Sequence, residues 1–497
     1  MLVVAIPVTD CASAKVAMAQ MPAHVGGIEL RLDYLEPLDI EAVASLRHAC
    51  DLPVIFTLRS QAQGGQYPHD DAQRFAAILA LCALAPEYVD LDYEVPETLL
   101  EIIRECYPGI RIIISYHQFD HTPKDLLAVL HRIQRPGQMI YKIATYAHSS
   151  LDGLRMVQFV RQHHDQYRLI GLCMGEDGAC TRILSPMMGN VLTYACGDVP
   201  TASGQLSVED LITQYHYHQI NTETRLYALL GDPVIKSVGH ILHNQAIDLL
   251  LRNAVYIKLR VRSVAELPEM MALCRALPLD GLSITMPLKE SMVAWMDKIE
   301  STSQPINAVN SMVQQQSQWL GFNTDGLGAI QALQEHVPLA RQTILILGAG
   351  GAARAIAYEA RRQGAQVIIL NRTLEKAQVL AQELGVEAYA LAALPELKTQ
   401  SYTLIVNTLP EHVYTQPCVA ALFHRDHIRT NTVVMDSVYQ PIETTFLRLA
   451  KQANCIGIPG FHMFVGQALL QIERWFQPEP ALLNQIKVRM EAFFTSS

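Results

Sequence analysis

The chain of 497 residues holds no apolar run approaching the roughly 18 residues of an ordinary membrane-spanning helix, which excludes that class of protein. It has no cluster of lysine and arginine either, and its formal net charge is −10. A nucleic-acid partner or an anionic membrane surface would call for such a cluster. Cysteine pairs at CxxC spacing are absent: the 10 cysteines are scattered, and Cys82, Cys173 and Cys274 sit inside apolar segments. Buried thiols in a reducing cytosol fit this usage better than disulfides or a metal centre. The opening MLVVAIPVTDC lacks a basic segment, and its apolar run is interrupted by Pro7, Thr9 and Asp10. It is expected to form a first strand rather than a signal peptide, in a cytoplasmic protein.

What is present is apolar mass, 50% of the residues, enough for several cores and for about three domains at roughly 150 residues each. Eight β-prone runs recur in the first 200 residues: 3–9, 27–35, 53–60, 88–95, 111–117, 139–147, 168–175 and 191–198. Helical spacing separates several of them, as in 71–85 and 151–164. Eight strands alternating with helices predict a (β/α)8 barrel, in which working side chains gather at the C-terminal ends of strands. Glu29, Arg31, Arg59, His117 and Lys142 all lie within or at the ends of these runs.

Lys142, in MIYKIATYA, has two readings. One is a salt-bridged or snorkelling structural lysine, since a buried ammonium is costly unless paired. The other is a nucleophile, because desolvation and neighbouring cations favour the neutral amine that attacks a carbonyl. His117 closes the preceding strand run and suits proton transfer beside that amine. Arg31, Arg59 and Arg182 supply cations from three separate places, which suits a carboxylate substrate.

At these residues the sequence resembles type I 3-dehydroquinate dehydratases. The matching pieces are ELRLD (29–33), TLR with a following GG (57–59, 64–65), SYHQF with TP (115–119, 122–123), YKIA (141–144), TRILSP (181–186) and TASGQLS (201–207). The resemblance implies that Lys142 forms a Schiff base with the substrate ketone and that His117 moves protons as water is lost. It implies substrate contacts at Glu29, Arg31, Arg59, Arg182, Thr201 and Gln205. Two positions depart from the family pattern: Gln63 stands where a glutamate is usual, removing an ionisable helper, and Thr201 replaces a serine while keeping the hydroxyl.

The segment 208–233 carries a polar stretch before a new strand, YALLGDP, and the boundary is placed near 219–225. Downstream, TILILGAGGAARAIAYEA (343–360) is an apolar strand, a glycine-rich turn and an alanine-rich helix. It fits either a tight structural turn or a loop whose glycines and helix N-terminus receive a pyrophosphate. The next strand run ends in Asn371, Arg372 and Thr373. An arginine there suits the 2′-phosphate of NADP, whereas an acidic residue would suit NAD; a solvated surface arginine is the plainer alternative. Lys289 in SITMPLKE and Asp325 in GFNTDGLG form a possible proton-transferring pair, or two unrelated surface charges.

Taken together these pieces resemble shikimate dehydrogenases over 226–497, with NAVNS (307–311), DSVYQPIET (436–444) and PGFHMFVGQA (459–468) as further matches. The resemblance implies Lys289 and Asp325 as the catalytic pair and Ser237, Thr285, Asn310, Tyr439 and Gln467 as substrate contacts. It implies cofactor contacts at Gly348, Ala349, Gly350, Gly351, Ala352, Arg354, Asn371, Arg372 and Thr373, with Gly460 near the nicotinamide. Val238, Gly239 and His240 after Ser237 depart from the usual substrate loop, as do Ser283, where asparagine is common, and Thr408 to Pro410 after Asn407.

The expectation is therefore a TIM barrel over 1–222, a substrate-binding lobe over 223–326 completed by 462–497, and an NADP-binding Rossmann lobe over 327–461. The implied activity is dehydration of 3-dehydroquinate followed by NADPH-dependent reduction of 3-dehydroshikimate, with no metal, nucleic acid or membrane partner. A preference for quinate in the second half and a non-catalytic metabolite sensor are the alternatives.

Overall fold

The computed structural model describes residues 1–197, 203–393, 402–410 and 428–495. Two compact units emerge: Met1–Ala228 with Pro233–Asp248 and Arg252–Leu279, and Leu229–Asp232 with Leu249–Leu251 and Asp280–Ser497.

The first unit is built on eight parallel strands: β1 (Leu2–Pro7), β2 (Gly27–Arg31), β3 (Val54–Thr57), β4 (Tyr88–Asp92), β5 (Arg111–His117), β6 (Ile140–Tyr146), β7 (Arg168–Met174) and β8 (Thr193–Ala195). Their order, β7-β6-β5-β4-β3-β2-β1-β8, is that of a barrel. Each lies inside the corresponding apolar run, apart from β1, which begins one residue earlier. Between β7 and β8 a side chain bridges the two strands' edges. The Asn190 amide accepts from Gly171 N–H at 2.8 Å and donates to Gly171 O at 3.0 Å, and Val191 N–H donates to Leu169 O at 2.9 Å.

Side chains alternate along a strand, so every second residue points to the same face. Tyr88, Ile113, Ile140, Ile170 and Tyr194 belong to one buried apolar cluster with Val3 and Ile55. Two residues further along, the same face carries Asp90, Ser115 and Lys142, and the next step reaches Asp92 and His117. The barrel thus changes from apolar to polar toward its C-terminal end, where this architecture puts its chemistry. Local signals start the outer helices. Asp70 Oδ1 accepts from Gln73 N–H at 2.9 Å ahead of Asp71–Cys82, and Ser149 with Asp152 forms a capping box at Ser150–His163.

After the barrel come β9 (Arg225–Gly231) and β10 (Ala254–Arg260), with helices Gly239–Leu249 and Leu267–Ala276. The second unit contains β11 (Leu279–Ile284), β12 (Lys298–Ile299), β13 (Ser311–Gln315) and β14 (Gln318–Phe322), in the sheet order β11-β13-β14-β12. Helix Asp325–Gln334 leads to a parallel sheet of β15 (Thr343–Leu347), β16 (Gln366–Asn371), β17 (Glu387–Ala390), β18 (Leu404–Asn407), β19 (Val433–Asp436) and β20 (Ile456–Ile458), ordered β17-β16-β15-β18-β19-β20. Both faces are covered: Ile344 and Ile346 pack with Ile356 and Ala357, while Leu345 and Leu347 pack with Phe446 and Ala450. Burial on both sides explains the unbroken apolar run TILIL. The chain reverses between β15 and β18, and at such a switch point an open α/β sheet receives its ligand.

The nine cysteines among the described residues are free thiols, most of them buried. None of the described helices is long and apolar enough to cross a membrane.

Candidate active sites

In the barrel, Lys142 is 5% exposed and fully engaged. Its Nζ lies 2.9 Å from Asp90 Oδ2 and 3.1 Å from Tyr194 Oη, above the Tyr194 ring at 4.2 Å from its centroid, with Glu29 Oε1 at 3.8 Å. Asp90 is shared, for its Oδ1 accepts from Arg59 Nη2 at 2.6 Å and from Ser115 Oγ at 2.6 Å. Arg59 also pairs with Asp92, which in turn accepts from buried Arg74 at 2.8 Å. Glu29 accepts from Thr57 Oγ1 at 2.7 Å. Burial raises the Asp90 carboxyl, but Arg59 and Lys142 more than offset this and hold it well below the usual carboxylate range.

The three expected cations differ in their freedom. Arg31 is bidentate to Asp33, both contacts 2.8 Å, and Arg59 is held between two carboxylates. Arg182 is the exception. It is 1% exposed, donates from Nη1 to Cys173 O at 2.6 Å, and among the described residues has no carboxylate partner and no acceptor for Nε. Burial lowers its pKa to about 10. A buried cation without a counter-ion is suited to an anionic ligand.

His117 caps β5. Its backbone N–H donates to Gln63 Oε1 at 3.0 Å, and Gln63 Nε2 donates to Glu94 at 3.3 Å. The ring Nδ1 is buried with no partner among the described residues. Burial, with Arg59 and Lys142 nearby, pushes the imidazole pKa well below its ordinary range, so the ring is neutral at neutral pH. Thr201 falls outside the described residues. Gln205 follows the turn at Ser203 and Gly204, where Ser203 O accepts from Gly175 N–H at 2.9 Å.

In the second unit Lys289 Nζ lies 2.5 Å from Asp325 Oδ2. The other carboxylate oxygen accepts from Asn310 Nδ2 at 2.7 Å. Asn310, an expected substrate contact, is also bonded within the protein: Nδ2 donates to Thr324 Oγ1 at 2.9 Å, and Oδ1 accepts from Thr324 N–H at 2.8 Å and Ser311 Oγ at 2.7 Å. Ser311 continues through Gln471 to Ser283, at 2.7 and 3.0 Å. Thr285 N–H bonds Leu230 O at 2.8 Å. Gln467 donates to Phe464 O at 3.1 Å, and Tyr439 rests against Phe464 with ring centroids 4.5 Å apart. Ser237 lies in the first unit, its hydroxyl accepting from Gly239 N–H at 3.1 Å.

The glycine-rich turn after β15 fits a dinucleotide. Gly348 has φ +112°, and a Cβ there would stand 2.3 Å from Thr408 Oγ1. Around Gly350 the space is open, with no atom within 4 Å of an ideal Cβ. Ala349, Ala352 and Arg354 belong to this turn and the helix Gly351–Arg362 that it opens, whose first turn no side chain caps. A Cβ on Gly351 would lie 3.2 Å from Lys289 Cβ, so the glycine-rich turn reaches the Lys289–Asp325 pair. At the end of β16, Asn371 Nδ2 fixes Thr373 O at 2.9 Å and leaves Arg372 exposed. Gly460 packs under Val438 O, 2.4 Å from where its Cβ would be. The described residues contain no cluster of His, Cys, Asp and Glu able to hold a metal ion.

Asp90, Asp92, Arg74, Ser115 and Tyr194 were not singled out in the sequence. The signal available was Asp-Leu-Asp within an apolar strand, two carboxylates on one face that burial permits only if they are paired.

Comparison with known proteins identifies the families of both halves. The type I 3-dehydroquinase family matches residues 2–222, the shikimate dehydrogenase substrate binding domain matches 229–312, and the shikimate/quinate 5-dehydrogenase family matches 331–436. The chain is similar to the chloroplastic bifunctional 3-dehydroquinate dehydratase/shikimate dehydrogenase of Arabidopsis thaliana, 32% identical over 94% of this chain and 81% of that one. A shikimate biosynthesis protein of Chlamydia pneumoniae is 34% identical over 90% of both chains. Among solved structures, shikimate dehydrogenase from Aquifex aeolicus superposes with TM-score 0.50 at 31% identity, covering 55% of this chain and all but 1% of its own. The chain belongs to the family of bifunctional 3-dehydroquinate dehydratases/shikimate dehydrogenases.

Proposed function

We propose that Lys142 and His117 dehydrate 3-dehydroquinate through a Schiff base, and that Lys289 and Asp325 serve the NADPH-dependent reduction of the resulting 3-dehydroshikimate to shikimate. The observation that carries the first assignment is a buried amine hydrogen-bonded to Asp90 and Tyr194, within the electrostatic reach of a neutral imidazole. Arg182 receives the substrate carboxylate, with Glu29, Arg31, Arg59 and Gln205 as further substrate contacts; Thr201, the remaining candidate, lies outside the described residues. Lys142 gives up a proton, its nitrogen bonds to the ketone carbon, and the ketone oxygen leaves as water. The iminium acidifies the adjacent C–H, and neutral His117 takes that proton and returns it to the departing hydroxyl. Hydrolysis of the imine releases the enone product and restores the lysine.

In the second half, Asp325 is fixed by Asn310 on one oxygen and orients Lys289 with the other. Lys289 then donates a proton to the carbonyl oxygen as the alcohol forms. NADPH supplies the hydride. The turn Gly348–Arg354 with Asn371, Arg372 and Thr373 would hold the dinucleotide, Gly460 would lie near the nicotinamide, and Ser237, Thr285, Asn310, Tyr439 and Gln467 are the candidate substrate contacts. The domain limits that accompany this reading are 1–222, 223–326 with 462–497, and 327–461, in a cytoplasmic enzyme.

A coupled assay tests it. Dehydroquinate with NADPH should consume the cofactor, and borohydride with dehydroquinate should add mass at Lys142. Absence of that adduct in an active enzyme sinks the Schiff-base assignment, and cofactor left unconsumed sinks the bifunctional reading. Quinate and NAD, run in parallel, measure the selectivity of the second half.

A further inference from the structure

The first compact unit contains more than the barrel: Pro233–Asp248 and Arg252–Leu279 pack with it, although the dehydrogenase substrate-binding family claims 229–312. The contact is polar and specific. Arg262, just past β10, donates from Nη1 to His148 O at 2.5 Å and from Nη2 to Asp177 Oδ2 at 2.6 Å. Arg260 N–H donates to buried Ser150 Oγ at 2.7 Å, and Arg155 Nε pairs with Glu269 at 2.5 Å. His148 and Ser150 follow β6, which carries Lys142, and Asp177 lies in the turn Glu176–Gly178 that follows β7. One guanidinium therefore ties together two loops at the catalytic end of the barrel.

The Asp177 turn is a hub. On one side, Gly178 O accepts from Thr181 Oγ1 at 2.7 Å, Thr181 Oγ1 accepts from Cys173 N–H at 3.0 Å, and Arg182 donates to Cys173 O at 2.6 Å. On the other, Gly175 N–H holds Ser203 O at 2.9 Å, and Gly204 packs so closely on Gly175 that a Cβ would lie 2.2 Å from its carbonyl oxygen. Gln205 follows directly. Displacing the turn thus moves both Arg182 and the approach to Gln205. The Asp177 side chain is only 11% exposed, and Arg262 is its counter-charge.

We infer that Arg262, a residue of the dehydrogenase sequence, is a positioning residue of the dehydratase, fixing through Asp177 the turn that sets Arg182 and the 203–205 segment on the substrate. This rests on the dehydratase assignment above. Neither Arg262 nor Asp177 touches substrate, so the effect passes through groups that bind it in ground state and transition state alike. Lost positioning should then appear in KM before kcat.

The test is Arg262→Ala, Arg262→Lys and Asp177→Asn in the full chain, with both activities and Tm measured on each preparation. The expected result is a dehydroquinate KM raised about tenfold in Arg262→Ala and Asp177→Asn, kcat held within about twofold, and partial recovery in Arg262→Lys. Dehydrogenase turnover and Tm report that each variant is folded. An unchanged KM in either folded variant overturns the inference, as does a parallel fall of both activities with Tm, which marks a purely structural contact. If Arg262→Ala does not fold, Asp177→Asn decides alone. Absence of dehydratase turnover in the wild-type chain would instead remove the assignment on which the inference rests.

Discussion

Asp90 divides its carboxylate between two cations, Oδ2 at 2.9 Å from Lys142 Nζ and Oδ1 at 2.6 Å from Arg59 Nη2. The resting lysine is therefore an ion-paired group, and substrate has to enter a network that is already satisfied. Asp90→Asn removes the shared charge while preserving shape, leaving Lys142 buried beside a neutral amide. Breaking one side of such a buried pair costs about 3 kcal/mol. For a unit of this size, the Tm of the dehydratase transition should fall by roughly 6–12 °C. Dehydratase turnover should drop by roughly 100-fold as the amine loses its placement, while dehydrogenase turnover persists. Calorimetry and separate steady-state assays check both expectations.

The pH dependence follows from two groups whose folded pKa values are depressed. Burial and the neighbouring Arg59 and Lys142 keep His117 neutral below its ordinary 6.5, and Arg59 with Lys142 keeps Asp90 ionised despite burial. For each, the unfolded chain binds the proton first as pH falls, so the stabilisation is complete above the unfolded pKa and diminishes below it. The His117 contribution should decline first as pH falls past about 6.5, and that of Asp90 as pH falls past about 3.9. Denaturation of the wild type at stepped pH should show the first loss, and His117→Asn should flatten it. The acid limb of dehydratase kcat/KM, which reports the free enzyme, should lie well below pH 6.5 for the same reason.

How much of this was readable depends on sequence distance. Lys142, His117 and Lys289 stand out because each is a polar side chain ending or interrupting an apolar run, and the eight strand runs match the eight strands, β1 starting one residue early. Asp90 sat in one of those runs without revealing its partners, since Lys142 lies 52 positions away and Arg59 lies 31 away. Local pattern shows that a buried carboxylate needs a partner, but not which one. Asn310 shows the same limit from the other side, its bonds to Thr324 and Asp325 being visible only once those residues fold back onto it. The grouping of Arg252–Leu279 with the barrel depends on contacts such as Arg262 with Asp177, 85 residues apart, and Arg155 with Glu269, 114 apart.

Asn310 leads to a third prediction. Asn310→Ala frees Asp325 Oδ1 and strips two bonds from Thr324, so Asp325 can rotate away from Lys289. Dehydrogenase kcat should fall by roughly 10- to 100-fold, with the KM for NADPH unchanged, because the dinucleotide turn is untouched. Asp325→Asn should lower kcat by roughly 100-fold or more through loss of the charge that orients Lys289. Initial rates in both directions separate the two variants, and an Asn310→Ala enzyme with wild-type kcat would show that the network is dispensable.

Arg372 and Gly351 test the cofactor end separately. Arg372 is exposed at the tip of β16, with Asn371 fixing the loop beside it, so its truncation costs little stability. Arg372→Ala should raise the KM for NADPH by about tenfold while leaving that for NADH nearly unchanged, because only the former carries the 2′-phosphate. Gly351→Ala acts elsewhere. Its methyl would sit 3.2 Å from Lys289 Cβ, so the lysine side chain has to shift by a few tenths of an ångström. That displacement should reduce kcat with either cofactor, because it moves the proton donor rather than the phosphate contact. A Gly351→Ala variant in which only cofactor KM changes would mean that the close approach of turn and lysine has no bearing on proton transfer.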